Sequence, residues 1–283
     1  MKKLTKTLLM ITIVALAACK KEDTVSPTPT NSQPDYSTQA IVSTESSVAT
    51  ALMYDMVVTV DDAMDANLDG VPNARIAASC GTVKLDKASK SVSIDYGTGC
   101  ESRTGTQKRG KITVKYEGDP KVGAGQTWAV TFENYAIDTY SINGSAAVEY
   151  VYKKESNGFQ ATIKSASLTV SDGQKGLTMS DMSLTALITL GAKLKDNSDN
   201  ETKVSGSMKG KYSDGKEFTA EITNELVFKG TCTEAKNYIP TQGILKATVS
   251  ALTTSVDFST GTGDCNKTVK ITYPNGSTET KDL

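Results

Sequence analysis

The chain contains no histidine among its 283 residues. That absence removes the Ser-His-Asp and Cys-His nucleophilic arrangements and the usual zinc, copper and non-haem iron ligand sets. Carboxylates, Ser/Thr, Tyr and Lys are left for any chemistry. No local pattern marks a carboxylate pair, no Gly-x-Ser-x-Gly elbow occurs, and Gly97-x-Gly99 and Gly123-x-Gly125 lack the ending of a phosphate loop. No catalytic residue is therefore assigned, and an enzyme is not expected. Aromatic residues are scarce, at 6%, with one tryptophan, and the formal net charge is only -1. Without a basic stripe, nucleic acid is not an expected partner. Apart from the first residues, no long apolar run is present.

That one run is the most specific signal. Lys2, Lys3 and Lys6 precede an apolar stretch from Leu8 to Ala18. It has about half of the ~20 residues that a membrane-spanning helix needs, and it fits a removable secretory signal. Leu16-Ala17-Ala18-Cys19 resembles the lipobox cut by the lipoprotein signal peptidase. The resemblance implies cleavage after Ala18 and lipidation of Cys19, with palmitate among the acyl chains and the membrane as a partner. Lys20-Lys21-Glu22-Asp23 resembles the export signal of Bacteroidota surface lipoproteins, which implies the outer membrane and its cell-surface face. Asp23-Thr24-Val25 resembles the short O-glycosylation motif of that phylum. Residues 1–18 are thus read as signal peptide and 19–37 as a lipidated tether. Pro27, Pro29 and Pro34 extend the tether and keep it from burying a core.

Residues 38–283 are long enough for one large β domain. Thr44 to Met64 is the helical candidate, with Val48, Leu52, Met56, Val60 and Met64 recurring at i, i+4. That stripe predicts one buried face. From Thr82 onward the pattern alternates in strand fashion: Val92 to Tyr96, Lys111 to Tyr116, Trp128 to Phe132, Ala147 to Tyr152, Ala161 to Val170, Val204 to Tyr212 and Phe218 to Phe228. Asp214-Gly215 and Asn275-Gly276 are hairpin turns. Leu184 to Leu194 reads as strand, with a short helix as the alternative. The fold class is mainly β: an antiparallel sheet, sandwich or open and curved, with one N-terminal helix.

With Cys19 assigned to lipid, Cys80, Cys100, Cys232 and Cys265 remain. An even number in an oxidising compartment predicts two disulfides. Three connectivities are open, and an internal echo, which is either a degenerate duplication or a chance recurrence of Gly-rich turns before cysteine, favours one of them. Ser93-Ile94-Asp95-Tyr96 runs into Gly97-Thr98-Gly99-Cys100, and Ser255-Val256-Asp257-Phe258 runs into Gly261-Thr262-Gly263-Asp264-Cys265. Within 80–116 and 232–273 the two cysteines flank a hairpin, whose open ends lie close. Cys80–Cys100 and Cys232–Cys265 are therefore expected. The Ile94 to Cys100 segment, Lys108-Arg109-Gly110-Lys111-Ile112 and Asp257 to Lys267 together resemble uncharacterised outer-membrane and surface lipoproteins of Bacteroidota. This resemblance implies location and fold class, and no activity.

Two candidate sites stand beside this frame. Asp65-Ala66-Asn67-Leu68-Asp69-Gly70 fits the first half of a calcium loop, with Asn73 as a further oxygen. Ile76 replaces the bidentate glutamate of an EF-hand, and the competing reading is an Asx-rich connection after the helix. Trp128, Tyr150 and Tyr152, with Tyr135 and Tyr140 near them in sequence, are the residue types that stack sugar rings; the competing reading is core packing. The expected function is a non-enzymatic binding or structural surface lipoprotein. A glycan-binding accessory of a polysaccharide uptake system is the first alternative, and a lipid-carrier-like periplasmic lipoprotein the second. An envelope protein or a glycan is the corresponding partner.

Overall fold

The computed structural model describes residues 36–68, 80–102, 105–117, 125–191, 198–261, 265 and 267–283. Residues 35–283 form one compact unit. It is mainly β. Helix α1 (Ser37–Leu68) is followed by β1 (Thr82–Asp86), β2 (Ser91–Asp95), the short β3 (Cys100–Glu101), β4 (Gln107–Glu117), β5 (Gln126–Ile137), β6 (Tyr140–Lys153), β7 (Gly158–Ser171) and β8 (Gly176–Thr189). Then come β9 (Glu201–Tyr212), β10 (Glu217–Lys229), the small helix α2 (Gly230–Glu234), β11 (Gln242–Val249), β12 (Leu252–Asp257), β13 (Thr268–Thr272) and β14 (Thr278–Asp282). Every strand pairs antiparallel with its neighbour in sequence, β3 alone branching off β4. The result is one open sheet running from β1 to β14. No described helix is long and apolar enough to cross a membrane.

The alternation read in the sequence is what builds the sheet. Along β5, residues from Gln126 to Phe132 alternate buried and exposed. The inward set (Trp128, Val130, Phe132) joins the core cluster that α1 also enters, and the outward set is mostly polar, as a half-buried sheet demands. Leu184 lies within β8, so the middle of the chain continues the sheet. The hairpin at Asp214-Gly215 closes with Tyr212 N–H on the Lys216 carbonyl, and Asp214 accepts the Lys216 N–H. Asn275-Gly276 repeats it: Tyr273 N–H bonds the Ser277 carbonyl, and Asn275 accepts the Ser277 N–H.

The sheet bends because a line of irregularities crosses it. Register shifts fall between Arg109 and Lys111, Phe132 and Tyr135, Ser145 and Ala147, Met179 and Asp181, and Ile222 and Leu226. Bulges add local twist and bend the strands that carry them. Two glycines on this line show how closely the backbones approach. A Cβ at Gly144 (φ 110°) would lie 2.0 Å from the Ser167 carbonyl oxygen, and one at Gly206 (φ 128°) 2.1 Å from that of Ser183.

The bent sheet closes around α1. The helix touches β1 and β2 on one side and β7 to β12 on the other. Periodicity predicted one buried face beginning near Thr44; the helix instead starts at Ser37, and Glu45 through Tyr54 are buried on every side. The small, polar residues of that stretch permit this. Ser43 and Thr50 hydroxyls donate to the carbonyls of Gln39 and Ser46, one turn back, and so satisfy their own polarity inside the helix. Leu52, Met53 and Met56 are fully buried, each contributing about 1.5–3 kcal/mol by leaving water.

Both expected disulfides are present. Cys80–Cys100 and Cys232–Cys265 have Cα separations of 5.7 and 5.1 Å. Each closes the base of a hairpin, β1–β2 in one case and β11–β12 in the other. The echo extends to register. Thr82 pairs with Asp95 and Lys84 with Ser93; Ile244 pairs with Asp257 and Lys246 with Ser255. Lys111-Ile112-Thr113 on β4 lies against β2 as the same triplet, Lys270-Ile271-Thr272 on β13, lies against β12. Asp95 and Asp257 each accept the N–H two residues on, and the aromatic after each, Tyr96 and Phe258, is buried.

Candidate functional site

Two constellations of polar and aromatic side chains stand out, both at the junction of α1 with the sheet. The first surrounds Lys108. On β4 this residue shares parity with Ile112, Val114 and Tyr116, so the pleat turns it inward. Its ammonium meets Asp55 at 3.2 Å and donates to Thr59 at 3.3 Å, both on α1 and one turn apart. It also lies 5.9 Å from the centre of the Tyr96 ring, within reach of a cation–π attraction. Tyr96 packs against Tyr135, and Tyr135 against Phe132. Tyr238, reached after α2, donates to Asp138 at 3.0 Å, in the β5–β6 turn. This bond ties segments a hundred residues apart.

The electrostatics define what this cluster does. Burial by itself lowers the Lys108 pKa, but the Asp55 carboxylate overcomes it and holds the ammonium well above its ordinary value. Lys108 therefore remains a cation and is no nucleophile. Burial pushes the Tyr96, Tyr135 and Tyr238 hydroxyls up as well, so they stay neutral. The cluster is an ion pair between helix and strand, ringed by buried phenols. It locks the helix to β4.

The second constellation is a narrow crevice of about 10 Å³, room for a single water, at the rim of the curled sheet. The C-terminal half of α1 contributes Val57, Val58, Asp61 and Asp62; the sheet contributes Tyr150, Phe159, Ile188, Leu190 and Asn200. Tyr150 stands between Trp128 and Phe159, stacked on both at 4.6 and 5.0 Å between ring centres, and Tyr152 tilts against Phe159. The lining of the crevice mixes apolar, aromatic and carboxylate side chains, the residue types of small-ligand sites, but its volume is far below the roughly 300 Å³ at which such sites begin.

The aromatic residues expected on an exposed platform divide here. Trp128 is 1% exposed, its indole N–H satisfied by Gln126, and Tyr150 is 6% exposed. Both belong to the core, because the pleat turns them to the inner face of β5 and β6. Tyr152 remains half-buried at the rim with Phe159. Tyr135 is core, and Tyr140 is half-buried against Tyr238. Of the calcium-loop residues, Asp65 and Asn67 lie on the last turns of α1, while Asp69, Gly70 and Asn73 fall outside the described residues. No cluster of three metal-ligating side chains occurs among the described residues. Cys19 also falls outside them. Asp55, Lys108, Phe159 and Asn200 were not marked by sequence reasoning. The inward parity of Lys108 was the one available signal.

No family model, curated protein or solved structure matches this chain.

Proposed function

We propose that this protein is a lipid-anchored component of the cell envelope, attached to the outer membrane through Cys19 and displayed on the cell surface, where its β domain serves a non-enzymatic binding or structural role. The observation that carries this reading is Leu16-Ala17-Ala18-Cys19, with the charged residues Lys20 to Asp23 directly after it. The domain is compatible with such a setting. Its two disulfides suit an oxidising compartment. Tyr36, directly after the proline-punctuated segment, stacks on Tyr273 at 5.7 Å. The outer face of the sheet is polar, and among the described residues the only large apolar side chain exposed is Leu252.

The test is metabolic labelling with a palmitate analogue, followed by protease treatment of intact cells. Labelling that disappears in Cys19→Ala, together with digestion of the domain on whole cells, supports the proposal. An unlabelled protein, or one released to the medium, sinks it.

A second reading, the glycan-binding accessory, draws support from the rim cleft alone. Tyr152 and Phe159 are its half-buried aromatics, and Asp61, Asp62 and Asn200 its polar edge. A thermal-shift screen against polysaccharides tests it. A shift that Phe159→Ala abolishes favours capture of glycans, and a flat response across the panel removes the reading.

A further inference from the structure

The sheet ends in two edges, β1 and β14, and they differ in how they meet another strand. Every residue of β14 is exposed. Its backbone bonds to β13 are fixed by two flanking contacts: Leu283 N–H on the Lys267 carbonyl and Tyr273 N–H on that of Ser277. With the register Ile271 opposite Glu279 and Val269 opposite Lys281, bonded pairs alternate along an antiparallel ladder. Glu279 and Lys281 therefore bond to β13. Thr278, Thr280 and Asp282 turn their N–H and C=O groups outward, to the open edge.

A second β14 laid antiparallel against this edge, with a two-fold axis at Thr280, satisfies each of these groups. Thr280 then faces its own copy and Thr278 faces Asp282 of the copy, all in bonded positions. Glu279 falls opposite Lys281 of the copy, in the non-bonded positions where side chains approach most closely. Both cross-strand pairs are of opposite sign. The other edge behaves differently. Self-pairing of β1 about its centre sets Lys84 against Lys84, the single-lysine guard that edge strands use against association. The sequence Glu279-Thr280-Lys281 is no such guard, because the dyad turns its charges into complements.

We propose that β14 is a homodimer contact, joining two copies of this chain edge to edge about a two-fold axis at Thr280. Such a contact is isologous and closed, so it stops at two copies. A single strand pair is small, and in dilute solution the contact is weak. Confinement on a membrane raises the effective concentration of one copy around another; that clause rests on the lipid anchor proposed above.

Cysteine crosslinking of the full chain tests the contact. Bonded antiparallel partners lie about 5.5 Å apart at Cα, within disulfide reach. Thr280→Cys is compared with Thr253→Cys, an exposed site on β12 away from the edge. Under mild oxidation of purified protein at high concentration, Thr280→Cys gives several-fold more covalent dimer than Thr253→Cys. Adding Lys281→Glu, which sets carboxylates opposite one another, lowers that yield several-fold. Exchanging both charges, Glu279→Lys with Lys281→Glu, restores most of it, though the Tyr273 hydroxyl then loses its bond to Glu279. Equal yields at the two cysteines, or no recovery on charge exchange, overturn the proposal. In cells, Cys19→Ala lowers the Thr280→Cys dimer when the anchor confines the chain. A dimer that forms equally without Cys19 supports the strand contact while removing the anchor from its account.

Discussion

Asp55→Asn is expected to destabilise the domain more than Lys108→Met, although both break the same 3.2 Å ion pair. The reason is unequal access to water. The Lys108 side chain is 13% exposed and that of Asp55 is 31% exposed. When Asp55 is lost, a buried ammonium remains among Tyr96 and Tyr135 with no anion to offset its desolvation. Breaking a buried pair in this way costs about 3–5 kcal/mol, and partial exposure places this one near the lower figure, ~3 kcal/mol. When Lys108 is lost, the Asp55 carboxylate recovers part of its hydration, and methionine retains most of the packed stem; about 1–2 kcal/mol is expected. The pair Asp55→Leu with Lys108→Met, leaving no charge behind, should lie within ~1 kcal/mol of the parent. Urea unfolding with the disulfides intact measures all three, provided the transitions are two-state. The pH profile supplies an independent sign. In the parent, the Lys108 pKa is raised on folding, so its contribution is fully present below the unfolded value near 10.4 and is lost as pH rises through the folded value. In Asp55→Asn, burial is left as the main influence and lowers the folded value. The unfolded chain then binds more protons, and stability climbs with pH over the interval just below the unfolded value. Equal costs for the two single variants, or a flat profile for Asp55→Asn across that interval, would refute this reasoning.

Three further outcomes follow from other parts of the molecule. Trp128→Ala opens a cavity under α1 and removes the ring stacked on Tyr150, costing about 3–5 kcal/mol by thermal or urea unfolding; an unchanged Tm would place the indole outside the core. Gly144→Ala drives a Cβ to within 2.0 Å of the Ser167 carbonyl oxygen and should prevent accumulation of folded protein, whereas Gly215→Ala, with open space around it at φ 85°, costs only about 1 kcal/mol. Expression and circular dichroism of the two variants separate crowding from backbone preference. Glu45 is buried in α1; burial, and then Asp172, raise its pKa while Lys175 lowers it. Stability linked to Glu45 is thus complete below its unfolded pKa and is lost as pH rises through the folded one. Glu45→Gln should raise Tm at pH 7 and leave it unchanged near pH 3.5; a gain that persists in acid would contradict the assignment.

The amino-acid sequence by itself determined most of the strands and the hairpin turns, and favoured the disulfide pairing that the structure then showed, because each rests on local chemistry. Alternation of small and apolar with polar residues dictates which face of β5 or β8 is buried. Asp214-Gly215 and Asn275-Gly276 make their turns with their own side chains and backbones. The cysteines flank hairpins whose ends meet in any setting. The helix was legible in type and not in extent. Ser43, Ser46, Ser47 and Thr50 weaken an apolar stripe, and only the sheet closing from both sides makes their burial worthwhile. The role of the aromatics was likewise undecided. Parity puts Tyr150 and Tyr152 on one face, but the position of α1 against that face buries Tyr150 and leaves Tyr152 at the rim. Lys108 and Asp55 are 53 residues apart, and nothing local relates them. Their meeting and the rim cleft both arise from one non-local event, the bending of a continuous sheet along its bulges until it closes on the helix. Local sequence sets what each strand is, and the sum of many small bends sets what it touches.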